Sequence, residues 1–135
     1  MKVSSQTLLP IVIDELNDGK KVTIKVKGTS MWPFYKDSKT NVTLIKGQYK
    51  KWDVVLALYN NQYVLHRIIK VYNDGYVLRG DGAIRKEFVL NCNIFGKVIC
   101  YQTRKQKNES NRVHRLIVIM WVYSPFRRIM LLFKK

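Results

Sequence analysis

The sequence predicts a small, mainly β domain with a helix near each end, and three observations support this. The 135 residues are enough for one domain with a single modest core. Short segments rich in Val, Ile, Leu and Tyr alternate with turn residues, which is typical of antiparallel strands. Apolar residues at helical spacing occur near both termini.

The N-terminal segment is predicted to form an amphipathic helix over residues 7–18. Apolar residues recur there at helical spacing: Leu8, Leu9, Val12, Ile13 and Leu16. Pro10 then fits only the first turn of this helix, and Gly19 suits its C-cap. From Val22 onward apolar residues occur at every second position, which indicates a half-exposed strand.

Five further strands are predicted downstream, at 41–45, 53–59, 62–72, 76–79 and 94–101. Asn60-Asn61 and Asn73-Asp74-Gly75 are predicted hairpin turns, because Asn, Asp and Gly tolerate positive φ. Strands joined by such turns favour an antiparallel arrangement. A β domain over residues 1–101 is therefore expected.

After this domain we expect a polar linker over residues 102–112 and a basic, apolar helical tail over residues 113–135. Ser124-Pro125 is predicted to begin a helix, as N-cap and first helical residue. The apolar residues that follow are spaced as one helical face: Phe126, Ile129, Met130 and Phe133. The cations that flank them are Arg127, Arg128, Lys134 and Lys135.

The charge of the chain is strongly basic, with a net value of +16 that indicates an anionic partner. Burying Arg127 and Arg128 at a bilayer centre would cost about 2.5–3.5 kcal/mol each, which argues against a transmembrane span. An interfacial helix on an anionic membrane surface is expected instead, with packing on the domain's own core as the alternative. No nucleic-acid-binding motif is visible, so nucleic acid is not the expected partner. A cytoplasmic or peripherally membrane-associated location follows.

The two cysteines, Cys92 and Cys100, do not form a C-x-x-C pair. They are interpreted as two half-buried thiols rather than a zinc site or a disulfide framework. No metal or other cofactor is expected.

A nucleophile is predicted at Ser30, in the segment Gly28–Pro33 that follows a predicted strand. A serine on such a turn can expose its hydroxyl while nearby backbone N–H groups point to the same place, as an oxyanion hole requires. Taken alone, a serine beside a glycine is more often an ordinary turn residue.

A serine nucleophile needs a base, and the chain has two histidines. His114 lies in the basic tail, whereas His66 lies in the middle of a predicted strand. Imidazole has a suitable intrinsic pKa for a base near neutral pH. Asp81, in Arg79–Gly82, is either a turn residue or a carboxylate that orients the imidazole.

Five segments in order resemble the motifs of the type I signal peptidase and SOS-repressor superfamily of serine peptidases. They are Gly28-x-Ser30-Met31-x-Pro33, Lys51–Val55, Leu65–Ile68, Arg79–Gly82 and Ile94–Ile99. The histidine in Leu65-His66-Arg67-Ile68 is similar to that of the branch in which histidine replaces the lysine base.

The resemblance implies a folded-ribbon antiparallel β domain and a serine endopeptidase that cleaves a peptide or leader sequence. Ser30 would form the acyl-enzyme, His66 would act as general base, and Asp81 would hold or polarise His66. The backbone N–H of Ser30 would donate to the oxyanion. The remaining oxyanion and substrate-cleft residues implied are Gly28, Thr29, Met31 and Pro33.

The sequence also departs from the family pattern. Gly28 stands where some signal peptidases have a second serine, Trp52 replaces the usual glycine before Asp53, and Gly82 replaces the usual asparagine. The N-terminal transmembrane anchor of typical signal peptidases is not found. Secretory preprotein processing is therefore not implied.

Two alternatives remain. One is a self-cleaving domain of the repressor type, which normally uses a lysine base. Lys70 lies on the same strand face as His66 by parity, but the usual Ala-Gly or Cys-Gly scissile pair is absent before Ser30. The other is a catalytically inactive module that binds peptide or lipid, which would not require the Ser30 and His66 pair.

Overall fold

The computed structural model describes residues 3–104 and 106–133, which form an antiparallel sheet and three α-helices. The strands are β1 (Val22–Lys25), β2 (Asn41–Ile45), β3 (Val54–Tyr59), β4 (Gln62–Val71), β5 (Gly75–Arg79), β6 (Glu87–Leu90), β7 (Ile94–Gln102) and β8 (Gln106–Asn108). The helices are α1 (Val3–Asn17), α2 (Arg112–Val122) and α3 (Arg127–Leu131). The prediction of a mainly antiparallel β domain with a helix near each end is confirmed.

The strands are joined in the order β1-β2-β7-β3-β4-β5-β6, and every pairing is antiparallel. The last strand, β8, pairs with the C-terminal part of β7. Three successive hairpins connect β3 to β6. The order therefore places β4, with its histidine, in the interior of the sheet.

Both faces of β3 are buried, because its sequence is apolar at every position from Val54 to Ala57. Val54 and Leu56 belong to one core, which also contains Leu9 and Leu16 of α1. The alternate residues, Val55 and Ala57, belong to a second core on the opposite face. His66 is paired with Val55 and so faces the second core, whereas its neighbour Arg67 faces the first.

The predicted turns lie where they were expected. Asn60 and Asn61 have φ values of 49° and 61° and make a two-residue connection between β3 and β4. Asn73 and Asp74 lie between β4 and β5, where the N–H of Tyr72 donates to the carbonyl of Gly75. Gly19, with φ of 81°, ends the first helix.

The N-terminal helix begins earlier than predicted, at Val3 rather than residue 7. Pro10 therefore lies in the helix interior, where its ring removes one backbone hydrogen bond. Leu9 and Leu16 are 1% and 0% exposed, and their packing on the sheet stabilises a helix that proline alone would disfavour.

The segment 102–112, predicted as a linker, instead belongs to the folded domain. Its β8 pairs with β7, with Cys100 opposite Asn108, and Glu109 directly after it is 1% exposed. The polar composition of this segment suggested a linker because the side chains of β8 face solvent, although its backbone continues the sheet. The edge strand β6 was also not predicted, since its four residues give too short a pattern.

The tail contains two helices. Asn111 caps α2, since its side chain accepts hydrogen bonds from the N–H groups of Val113 and His114 at 2.9 and 3.2 Å. Ser124 Oγ accepts from the N–H of Phe126, but α3 begins only at Arg127. Within the part of the chain described here, each helix is too short or too polar to cross a membrane.

Candidate functional site

The loop that carries Ser30 leaves β1 through a left-handed turn. Gly28 has φ of 85°, and its N–H donates to Oδ1 of Asp37 at 2.8 Å. Met31 anchors the other side of the loop, because it is 1% exposed within the core formed with α1. Ser30 itself is half-buried, and its side chain has no hydrogen-bond partner among the described residues. The hydroxyl is thus not used by the fold described here.

This loop packs directly on the segment 80–83 that follows β5. The N–H of Gly82 donates to the carbonyl of Ser30 at 2.8 Å. A Cβ atom at Gly80 would lie 2.2 Å from the carbonyl oxygen of Ser30 and 3.2 Å from Cδ2 of His66. The backbone carbonyl of Ser30 and the ring of His66 therefore both lie against Gly80, and only a residue without a side chain permits this approach.

The imidazole of His66 is held by a carboxylate that the sequence did not indicate, that of Glu87. Nδ1 of His66 is hydrogen-bonded to Oε1 of Glu87, with the two side chains 8% and 12% exposed. A carboxylate only accepts, so Nδ1 carries the proton and Nε2 of a neutral ring keeps its lone pair. Nε2 makes no hydrogen bond within residues 3–104 and 106–133.

Asp81 was predicted to hold His66, and the structure corrects this assignment. Its carboxylate instead accepts three hydrogen bonds from Arg67, at 2.8 to 3.1 Å. Arg67 is fully buried and also donates to the carbonyl of Trp52 at 2.9 Å. The physical reason is strand parity: Arg67 points to the opposite face from its neighbour His66, and a buried guanidinium needs paired carboxylates.

The Arg67 cluster extends to the C-terminal part of the chain. Arg67 Nη1 donates to Glu109 at 3.2 Å, and Glu109 also accepts from Tyr35 and from Nε2 of His114, the latter at 3.2 Å. Burial raises the pKa of Glu109, but the charge of Arg67 and the hydrogen bonds from His114 and Tyr35 outweigh it and lower that pKa to about 2. Burial and the charge of Glu109 raise the pKa of Tyr35, so its hydroxyl stays protonated as the donor. His114 thus has a structural contact in this cluster.

The two C-terminal helices are attached to the segment beside Ser30. Nε1 of Trp121 donates to the carbonyl of Asp81 at 2.8 Å. Arg127 donates to the carbonyls of Gly80 and Asp81 at 3.1 and 2.9 Å, and to that of Ala83. Burial and the neighbouring Arg79 lower the pKa of Arg127 to about 10, which still leaves it charged at neutral pH.

Arg127 therefore differs from its prediction as a cation facing a membrane. It is 5% exposed, and its guanidinium donates hydrogen bonds to backbone carbonyls because α3 turns this residue toward the domain. Arg128 is exposed. Lys134 and Lys135 lie outside the described residues.

The remaining predicted residues take different positions. Thr29 lies in the same loop, where its carbonyl accepts from the N–H of Trp32 at 3.1 Å, and Pro33 borders a groove with Phe34 and Lys36. Met31 is a core residue whose sulfur accepts from the N–H of Asp81 at 3.4 Å, so it shapes the loop from inside. Lys70 is exposed, with its ammonium 5.2 Å from the ring centroid of Tyr72.

Cys92 is exposed and Cys100 is half-buried, and both are free thiols. Among the described residues, no group of three or more His, Cys, Asp and Glu side chains could hold a metal ion. The groups that lie around Gly80 and His66 are the hydroxyl of Ser30, the imidazole of His66 and the carboxylate of Glu87.

Comparison with known proteins adds no family to these observations. No protein-family model, no curated protein and no solved structure matches the chain significantly. The resemblance to signal peptidases is confined to the five sequence motifs.

Proposed function

We propose that this protein is a serine endopeptidase of the signal peptidase type, which cleaves a peptide or leader sequence. Ser30 is its nucleophile and His66 is its general base. The observation that carries the proposal is that the backbone of Ser30 and the ring of His66 lie against the same residue, Gly80, while Nδ1 of His66 is hydrogen-bonded to Glu87. A hydroxyl, a base and a carboxylate that orients the base are the groups this reaction needs.

In the proposed reaction, Nε2 of His66 takes the proton from Ser30 Oγ as the oxygen attacks the peptide carbonyl. The backbone N–H of Ser30, which has no hydrogen-bond acceptor among the described residues, donates to the oxyanion. His66 then protonates the leaving amine, and a water molecule that it activates hydrolyses the acyl-enzyme. Glu87 is a positioning residue: it fixes the tautomer of His66 and stabilises the imidazolium.

Trp52 gives separate support to the resemblance. It stands where the family motif has glycine, and its φ of 79° is a value that glycine adopts without strain. Its side chain is kept there by an edge-to-face contact with Tyr123, at 5.8 Å between ring centroids. The backbone at Trp52 thus has a φ value that a glycine at this position could adopt.

Cleavage of a separate substrate is favoured over self-cleavage. The accessible segment for a cut in cis was 102–112, and it contains a paired strand and the buried Glu109. The scissile peptide bond would have to lie in an extended, exposed loop, whereas this segment is paired with β7.

The test is cleavage of a mixed peptide library, read by mass spectrometry, with wild type, Ser30→Ala and His66→Ala. Vesicles of anionic lipid are present in one arm and absent in the other. Cleavage by wild type that disappears in both variants is expected, and the cut sites would define the preference. Cleavage that survives in Ser30→Ala would reject the mechanism and favour a binding module.

A further inference from the structure

The helix α2 turns both polar and apolar side chains toward the domain. His114 contacts Glu109, Arg115 Nη2 donates to the buried Asp53 at 2.7 Å, and Val118 is 0% exposed. Apart from Arg112, the exposed residues of 112–123 are apolar. They are Val113, Leu116, Ile117, Met120 and Tyr123, each 50% to 68% exposed.

The apolar surface continues onto the segment that follows. Phe126 and Ile129 are 64% and 56% exposed, and Leu132 and Phe133 are 80% and 74% exposed. Scattered exposed apolar residues are normal, but a continuous face of this kind marks an interaction site on a monomeric domain. We call the exposed apolar residues of 113–133 the docking face.

The charges around the docking face are predominantly positive. The only acidic residue after Cys100 is Glu109, which is buried. Cations lie close by: Arg128 is exposed on α3, and Phe133 borders a groove that contains Lys36, Lys39 and Arg104 beside one carboxylate, Asp37. An apolar face bordered by an excess of positive charge complements a surface that is apolar inside and negative at its rim.

We propose that the docking face binds the surface of a bilayer that contains anionic lipid. The apolar side chains enter the boundary between headgroups and acyl chains, and the cations contact lipid phosphates. A second copy of the chain would bring the same positive rim against this one and would be repelled. Only surface binding is implied.

Docking of α2 and α3 on a bilayer would also position the segment 80–83, which lies beside Ser30. The opposite side of the same helices binds residues 80–83 through Trp121 and Arg127. A protein docked by α2 and α3 would therefore keep residues 80–83 and Ser30 next to the helices that contact the bilayer. The docking itself does not depend on the proposed peptidase activity, because lipid binding can be measured with Ser30→Ala.

The test is vesicle flotation with the full chain carrying Ser30→Ala, using phosphatidylcholine vesicles with and without phosphatidylglycerol. We expect binding to the anionic vesicles that weakens in about 0.5 M salt, because screening shortens the reach of the charges. The pair Leu116→Ser with Met120→Ser should weaken binding about tenfold or more, since both side chains leave the apolar phase. Ile11→Ser, on α1 and 60% exposed, is the matched control and should bind as the parent protein does.

A second pair, Leu132→Ser with Phe133→Ser, repeats the test if the first pair does not fold, as judged by circular dichroism. Absence of binding to anionic vesicles at low salt would overturn the proposal. So would undiminished binding by both serine pairs, which would assign the attraction to charge alone. Self-association that the serine pairs abolish, in a protein that binds no vesicles, would assign the face to a second copy instead.

Discussion

Nδ1 of His66, on β4, is hydrogen-bonded to Oε1 of Glu87, on β6, although β5 lies between the two strands. The pair is shielded from solvent, with the side chains 8% and 12% exposed. In this position the carboxylate fixes which nitrogen of the ring carries the proton. It leaves Nε2 as the basic nitrogen beside the loop that carries Ser30.

Replacing Glu87 by Gln is expected to lower kcat by at least about tenfold while KM changes little. The amide oxygen can still accept a hydrogen bond from Nδ1–H, so the fold persists, but it no longer supplies the negative charge that stabilises the imidazolium. Steady-state kinetics on a substrate found in the library experiment measure both constants. A rise in KM with unchanged kcat would place Glu87 in substrate binding instead.

The complementary substitution is Asp81→Asn, which is expected to act on stability. It removes a carboxylate from Arg67, which is 0% exposed, and breaking such a buried pair costs about 3–5 kcal/mol. Urea denaturation followed by circular dichroism measures the loss. If Asp81→Asn left the free energy of unfolding unchanged but abolished kcat, the role implied by the family resemblance would be restored to Asp81.

The proposed nucleophile and base each lie in a short local motif, so the sequence could suggest them, whereas it could not suggest the carboxylate that contacts His66. Glu87 reaches His66 only through the register of two strand pairings, and no local pattern encodes that register. Glu109 was hidden for a similar reason, since its partners Arg67 and Tyr35 are 42 and 74 residues away in the chain. The turns at Asn60 and Asn61 were predictable because their positive φ is a property of the residues themselves.

A substitution at Gly80 tests the approach of Ser30 to His66. In Gly80→Ala the new methyl group would lie 2.2 Å from the carbonyl oxygen of Ser30, so the loop must move away from the imidazole. We expect kcat/KM to fall by about 100-fold or more, since a displacement near 1 Å at reacting groups has this effect. Gly47→Ala is the matched control, because its methyl group meets only the flexible end of Lys97 at 3.9 Å. Equal activity of the two variants would show that the approach at Gly80 is not needed.

The depressed pKa of Glu109 predicts how stability depends on pH. The ionised carboxylate is favoured in the folded protein, where its pKa is about 2 against an ordinary value of 4.5. Its contribution is therefore present above pH 4.5 and is lost as pH falls through about 2. The shift corresponds to about 3 kcal/mol, at about 1.4 kcal/mol per pKa unit. Urea denaturation of wild type and Glu109→Gln between about pH 7 and pH 2 should show the two curves converging in acid, and parallel curves would contradict the prediction.

Arg127 and Arg128 are adjacent cations with different surroundings, and this makes them a matched pair. Arg127 donates to the carbonyls of Gly80, Asp81 and Ala83, whereas Arg128 is exposed. Arg127→Ala leaves those carbonyls without their donor, so we expect a loss of about 2 kcal/mol or more in stability. Faster hydrogen exchange across residues 80–83 and lower peptidase activity should accompany that loss. Arg128→Ala should leave stability, exchange and activity unchanged and should weaken only the binding to anionic vesicles. Equal effects of the two substitutions on hydrogen exchange would show that α3 does not hold this segment through Arg127.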